Sequence, residues 1–317
     1  MNSLISICLA TYNGETYIQE QLDSIVKQTY REFELIVQDD NSTDNTLEII
    51  KSYEKFIKIK IEKNKTNIGY AKNFEKVLKR ASAEYIAICD QDDIWDENKL
   101  EILINSIGTN TLIYSNSLLV NENGESLNKS LSDKLKNNFI SSNQPLNFLY
   151  DNSVSAHAVL FKKELLNHLF PFPQHIYFDQ YIAMVAASLQ GVQFIDKNLV
   201  NYRQHAKNTL GNRQKSKDSL TSKIKNKLQK KLDNNNDFLN KIKDVKNIKT
   251  LSLNDKNILL NLKNIHLNFL FSIYSLSALI FFLTYKDILF AIGKKNKIIL
   301  SIKKSIGYKL YKVLPIL

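Results

Sequence analysis

A chain of 317 residues with 44% hydrophobic and 10% aromatic side chains has the composition of a folded protein and the length to bury a sizeable core. Its two cysteines, Cys8 and Cys89, each sit in a short apolar run, which favours small buried thiols over a disulfide or a metal pair. The formal net charge of +11 is unevenly spread: residues 1–212 carry 21 Lys and Arg against 26 Asp and Glu, whereas residues 213–317 carry 22 against 6, so an acidic body is followed by a basic tail.

Leu4–Leu9 reads as a buried strand, and Tyr17, Ile18, Leu22, Ile25 and Val26 recur behind it at helical spacing. The chain enters this strand with no basic region or long apolar stretch before it, which argues against a secretory leader and for a cytoplasmic body. Phe33–Val37 is a second strand, a helix carries Leu47, Ile50 and Tyr53, and Ile57–Ile61 is a third strand. Phe74, Val77, Leu78 and Ala81 mark a third helix and Tyr85–Cys89 a fourth strand. Such alternation predicts an α/β sheet with parallel strands, whose ligand crevice lies beyond the strands' carboxyl ends. Further on, Leu112–Tyr114 and Leu118–Val120 are short strands with Asn123-Gly124 as a tight turn, and Val154–Phe161 is another strand. Tyr181, Ile182, Val185, Ala186 and Leu189 form a helical stripe, and Val192–Ile195 and Leu199–Tyr202 flank Asp196-Lys197-Asn198 as a hairpin.

Three polar clusters fall on the predicted rim: Thr11-Tyr12-Asn13-Gly14, Asp39-Asp40-Asn41-Ser42 and Asp90-Gln91-Asp92-Asp93. Asp90, Asp92 and Asp93 have no neutralising neighbour in sequence, and Mg²⁺ is commonly held by one or two carboxylates together with substrate phosphates. The same residues serve equally as a solvated acidic turn, with Asp93 or Asp96 capping a helix at Lys99–Ile104. Asp39 and Asp40 stand at a strand end, where a carboxylate can accept a base N–H or a ribose hydroxyl, while Ser42 or Asp44 caps the helix that follows. No Gly-x-Gly-x-x-Gly follows the first strand and no Gly-Lys-Ser/Thr loop is present, which disfavours dinucleotide and P-loop chemistry.

Taken together, Ala10-Thr11-Tyr12-Asn13-Gly14, Gln28-Thr29-Tyr30, Asp39-Asp40-Asn41-Ser42-Thr43-Asp44, Asn67-Ile68-Gly69 and Cys89-Asp90-Gln91-Asp92-Asp93-Ile94-Trp95 resemble the family 2 glycosyltransferases of the GT-A fold. Phe178-Asp179-Gln180-Tyr181 and Tyr202-Arg203-Gln204-His205 resemble the rhamnosyltransferase-like branch of that family. The resemblance implies a Rossmann-like nucleotide-diphospho-sugar transferase domain over 1–212, with a donor half at 1–110 and an acceptor half at 111–212, and leaves 213–317 as a helical, basic extension. It implies inverting transfer from a UDP-hexose or dTDP-rhamnose, assisted by Mn²⁺ or Mg²⁺. The acceptor would be a saccharide, often lipid-linked, in bacterial surface-polysaccharide synthesis such as capsule or O-antigen assembly.

By position the resemblance puts Asp40 on the nucleotide base, with Asp39, Asn67, Gln91 and the Ala10, Thr11, Tyr12 and Asn13 turn beside it. Asp92 would ligate the metal and Asp90 would face the ribose or metal waters, with Asp93 as the alternative if the register is read one residue later. Arg203 and His205 would assist at the diphosphate, His205 as a further metal ligand or a phosphate contact. An inverting displacement needs a base opposite the departing diphosphate, and Asp179 is the candidate, its other reading being a helix N-cap. Near the acceptor the family usually has a glycine where Ser155 or Ala156 stands, beside His157, which leaves the acceptor open; Trp95 reads as packing. A sugar nucleotidyltransferase is disfavoured because Asn13-Gly14-Glu15-Thr16 lacks a basic loop, and a silent scaffold because Asp40, Asp90, Asp92 and Asp179 are retained together.

In the tail, Leu267 to Tyr285 runs nineteen residues without a formal charge, near the roughly 20 needed to span a bilayer. Asn268, three serines and Thr284 dilute it and Lys263 and Lys286 flank both ends, which favours a surface-bound or core helix over a span. Lys-rich helices carrying Phe269, Phe271, Phe281 and Phe282 are expected to hold the chain peripherally on the inner face of the bacterial membrane, with no nucleic acid as partner.

Overall fold

The computed structural model describes residues 3–205, 220–268, 276–292 and 297–305, with the side chains of 220–232 and of 302–303 left aside. Strands β1 (Ile5–Thr11), β2 (Phe33–Asp39), β3 (Ile59–Lys63) and β4 (Tyr85–Cys89) lie parallel in the order β3-β2-β1-β4. Helices α1 (Ile18–Val26), α2 (Thr46–Ser52) and α3 (Tyr70–Lys79) make the crossovers. The central strands are apolar along almost their whole length because both faces are covered. One face packs on Leu22 and Ile25 of α1 and Ile50 of α2, the other on Phe74, Val77 and Leu78 of α3. The predicted α/β sheet is borne out, with strand ends placed as expected within two residues.

The second half comprises β5 (Ile94–Trp95), α4 (Lys99–Ser106), β6 (Leu112–Val120), β7 (Ser126–Ser130), α5 (Leu131–Leu135), β8 (Val159–Lys162), α6 (Phe178–Ala187) and β9 (Val192–Arg203). It extends the sheet as β4-β8-β6-β9-β5, with β7 on the side of β6, and β8 runs antiparallel to β4 and β6. Asn123-Gly124 does turn the chain from β6 to β7, and Gly124 takes φ +81°, which its missing Cβ permits. The strand expected from Val154 begins only at Val159, after a 3-10 turn at Ala156–Ala158. The hairpin expected at Asp196-Lys197-Asn198 is absent. β9 is one strand parallel to β6, and its register slips where Ser115 faces Ile195 and Asn116 faces Asn198. The exposed polar residues bulge outward instead of reversing the chain, and β9 continues to the far rim.

The tail is helical, as expected, over α7 (Leu220–Lys246), α8 (Leu253–Leu267), α9 (Leu276–Thr284), α10 (Lys286–Leu289) and α11 (Lys297–Ser305). It does not stand apart: Ile242, Val245, Leu259, Leu262, Phe282 and Phe290 share one apolar core with α3 and α6. Phe282 is fully buried against Phe290, so the expected lipid contact through this residue is corrected by its packing. Phe269, Phe271 and the boundary near Asn212 lie outside the described residues. Among the described residues no helix is long and apolar enough to cross a membrane.

Candidate active site

The rim beyond β1, β2 and β4 is held together by side chains that bond to the neighbouring loop's backbone. Asn13, with φ 45°, accepts from Thr43 N through Oδ1 (2.9 Å) and donates its own N–H to Ser42 Oγ (2.9 Å). Gln91 reaches back to the first loop, accepting from Tyr12 N (2.8 Å) and donating to Tyr12 O (3.0 Å). This approach requires Gly14, because a Cβ there would stand 2.4 Å from Gln91 Oε1. Tyr12 itself projects outward, 46% exposed, while Ala10 and Thr11 continue β1 beneath it.

Both aspartates of the second cluster are buried and bonded. Asp39 accepts from Ser42 N, Ser42 Oγ and Thr11 Oγ1, which locks the β2 turn onto β1. Asp40 accepts from Asn64 Nδ2, Ile68 N and Gly69 N at 2.8–2.9 Å, so it shapes the Asn67 loop. Asn67 is exposed on that loop. Asp44 accepts from Thr46 N (3.1 Å) from the position before the N-cap, which is Asn45 and not Ser42 or Asp44 as expected.

The third cluster is completed by residues far away in sequence. β5 pairs antiparallel with β9, Ile94 opposite Asn201 and Trp95 opposite Val200, and this carries the end of β9 over the acidic turn. Arg203, fully buried, donates from N to Asp93 Oδ1 (3.1 Å), from Nε to Asp92 O (2.8 Å) and from its terminal nitrogens to Glu122 O and Glu20 Oε2 (2.7 Å each). It therefore braces the turn rather than facing open space. Two residues on, His205 Nε2 meets Asp92 Oδ2 at 2.7 Å, its ring packed on Tyr17 at 5.0 Å.

Behind them, His157 sits 4% exposed, with Nε2 on Ser117 Oγ (2.9 Å) and Nδ1 3.7 Å from Asp93 Oδ2 and 3.9 Å from Asp90 Oδ2. Lys99, also fully buried, donates to His157 O (2.6 Å) and lies over the Trp95 ring at 3.4 Å. Burial, then the charges of Asp92 and Asp179, push the Asp90 carboxyl up to about 7. Burial and its acidic neighbours Asp92 and Asp90 hold Asp93 well above the usual carboxylate range. Burial brings Lys99 down to about 7 and, helped by Lys99, His157 down to about 3. Lys99 faces the carboxyls of Asp93 and Asp90, with Asp92 acting on both, and such crowding of acidic groups is an arrangement that a divalent cation relieves.

Two donor sets suit such an ion. Asp90, Asp93 and His157 offer ligand atoms within 4.8 Å of one another, and Asp93 Oδ2 is buried with no hydrogen-bond partner among the described residues. Asp92 and His205 form a second donor pair, their side chains 20% and 9% exposed. The carboxylate oxygens of either set suit Mn²⁺ or Mg²⁺, and an imidazole ligand suits a transition-metal ion better than Mg²⁺.

Asp179 lies in the first turn of α6, not at its N-cap, which is Tyr177. Its Oδ1 accepts from Gln180 N at 2.6 Å, and burial raises its carboxyl to about 6, against the opposing pull of that bond and of Lys241. The charge of Asp179 is among those that raise Asp90, which puts the first turn of α6 within electrostatic reach of the acidic turn. Sequence reasoning did not reach the roles of His157, Lys99 and Lys241. None carries a spacing signal, and each is defined only by what it is packed against.

A family model described as Glycosyl transferase family 2 matches residues 6–170. The dTDP-rhamnosyl transferase RfbG of Shigella flexneri is 32% identical over 220 residues, 64% of this chain and 73% of that protein. An Escherichia coli relative, the UDP-Glc:alpha-D-GlcNAc-diphosphoundecaprenol beta-1,3-glucosyltransferase WfgD, is 38% identical over 122 residues, 38% of this chain and 48% of that protein, so the match spans about half of the relative's length. Among solved structures, S. aureus TarS 1-349 in complex with UDP superposes with a TM-score of 0.55 at 22% identity, covering 83% of this chain and 71% of that one. That likeness is one of fold, and it makes the mixed α/β sheet described above a GT-A sheet.

Proposed function

The chain belongs to glycosyl transferase family 2, and from that membership and the rim geometry we infer an inverting, Mn²⁺- or Mg²⁺-dependent hexosyl- or rhamnosyltransferase that uses a UDP- or dTDP-sugar. The observation that carries this reading is the meeting of Asp92 with His205 at 2.7 Å, on a turn whose Asp90 also feels the charge of Asp179. Asp92 and His205 would hold the ion, with Asp90 facing the ribose or the ion's waters. A bound divalent cation supplies positive charge to the departing diphosphate oxygen. Tyr12, Asn13, Asp40 and Asn67 line the nucleotide end, braced by Asp39, Gln91 and Arg203.

Asp179 takes the proton from the acceptor hydroxyl as that oxygen attacks the anomeric carbon. Its raised affinity for protons suits a base working near neutral pH. Beside it, exposed Tyr70 and Tyr177 open into a groove of about 1120 Å³ that also takes in Phe172, Phe178, Phe238 and Lys241. Aromatic faces with interspersed polar groups suit a saccharide acceptor. WfgD is named for a diphosphoundecaprenol-linked acceptor, which supports a lipid-linked saccharide here and a role in surface-polysaccharide synthesis. Exposed Leu276 and Ile280 on α9 and Ile298 and Ile299 on α11, in a strongly basic tail, support peripheral attachment at the inner membrane face.

The test is nucleotide release from UDP-glucose, UDP-GlcNAc and dTDP-rhamnose with Mn²⁺, Mg²⁺ or EDTA, for the wild type, Asp92→Ala and Asp179→Ala. Metal-dependent release from one donor, lost in both folded variants, is the expected result. A wild type that neither binds nor turns over any of these donors would make the chain a silent scaffold.

A further inference from the structure

Helix α7 sends one lysine back into the body of the protein. Lys241 is half-buried, and its Nζ donates to Gln180 Oε1 (2.8 Å) and to Leu149 O (3.2 Å). Gln180 is 2% exposed, and its Nε2 donates to the main-chain oxygens of Phe148 and Leu149, so its amide is engaged at both ends. The backbone N–H of the same Gln180 donates to Asp179 Oδ1. A line of hydrogen bonds thus runs from the C-terminal extension, through the first turn of α6, to the carboxylate assigned as the base.

A lysine is a poor choice for docking a helix, because partial burial of an ammonium costs solvation that an apolar side chain would not lose. α7 already docks through Ile242 and Val245, which are 1% and 0% exposed. The charged groups that act on Lys241 are the carboxylates of Asp151 and Asp179 and the ammonium of Lys304, while the charge of Asp179 also acts on Tyr70 and Asp90. The cation stands among acidic groups, where the extension touches the base's own turn.

We propose that Lys241 is a positioning residue for sugar transfer: from α7 it clamps Gln180 and so holds the Asp179 carboxylate in place, which makes the C-terminal extension part of the active site. This rests on reading Asp179 as the base. The clamp explains why a charged residue occupies a docking surface.

The experiment compares wild type, Lys241→Met, Lys241→Arg, Val245→Ala and Asp179→Asn in full-length protein, with UDP-glucose and dTDP-rhamnose as donor probes. Mn²⁺-dependent nucleotide release, UDP affinity and melting temperature are measured for each. Lys241→Met should lower kcat by up to about 100-fold, the scale set by small misplacements of a reacting group, with UDP affinity unchanged. Lys241→Arg should restore most of it, and Val245→Ala should lower the melting temperature while keeping kcat. In Lys241→Met the acid limb of the kcat profile should move to higher pH, because the ammonium no longer favours the ionised carboxylate. A Lys241→Met kcat within twofold of wild type overturns the proposal, as does a Val245→Ala variant that loses as much kcat. If Asp179→Asn keeps full turnover, the base reading falls and this inference with it; if only Lys241→Met stays active, this inference falls alone.

Discussion

His205 Nε2 stands 2.7 Å from Asp92 Oδ2, although the two residues are 113 positions apart. They meet because β9 passes its bulge and then runs antiparallel along β5, so the end of one strand closes over the turn that precedes the other. His205→Ala should therefore weaken Mn²⁺ binding by at least roughly 10- to 100-fold, the scale set by losing even an orienting partner at a metal site, and Asp92→Asn by more. Titration of Mn²⁺ into the UDP-saturated protein measures it. Unchanged affinity in both variants would move the ion to Asp90, Asp93 and His157.

The acidic turn makes the effect of the cation on stability depend on pH. The Asp90 carboxyl rises from 3.8 to about 7 on folding, so its contribution to stability is complete below the unfolded value and is lost as pH rises through about 7. Mn²⁺ needs the ionised carboxylate and offsets the repulsion among the aspartates. The gain in melting temperature on adding Mn²⁺ should be larger near pH 8 than near pH 5.5. Equal gains at both would mean that these carboxylates do not meet the ion.

For Asp179 the raised pKa of about 6 sets the acid side of the rate profile. Below that pH the carboxyl is protonated and cannot accept the acceptor's proton, so kcat should fall with pH there. Asp179→Asn should lose about 10²–10⁴-fold in kcat, the range a general base contributes, and keep its nucleotide affinity. A pH-independent kcat between pH 5 and 8 would assign the base elsewhere.

Gly14→Ala places a Cβ 2.4 Å from Gln91 Oε1 and must displace the side chain that holds both Tyr12 N and Tyr12 O. With two hydrogen bonds lost, the expected cost is about 1–3 kcal/mol of stability together with a higher donor KM. Gln91→Ala should do the same without crowding. Urea unfolding and UDP titration read the two effects separately, and a Gly14→Ala protein that binds UDP like the wild type would show the clamp to be dispensable.

Much of the first hundred or so residues is legible in the amino-acid sequence. The apolar runs of β1, β2 and β4 and the helical spacing behind them are local patterns, and a parallel sheet converts them directly into a rim bearing Asp39, Asp40, Asp90 and Asp92. Asp196-Lys197-Asn198 misleads because a polar trio between apolar runs has the same local signature whether it turns a hairpin or bulges from a strand. Phe282 misleads in the same way: an aromatic in an uncharged run packs equally well into lipid or into a protein core.

The sequence by itself determined the α/β alternation, the acidic rim and Asp179 at the head of a helix, because periodicity, turn residues and strand-end carboxylates act over a few positions. Only the tertiary structure decided which distant groups meet them: His205 on Asp92, His157 facing Asp90 and Asp93, Lys99 buried over Trp95, and Lys241 on Gln180. Those meetings follow from strand register and helix docking, which are set by burial summed over the whole core, and a single buried histidine or lysine leaves no periodic trace of its partner in the chain.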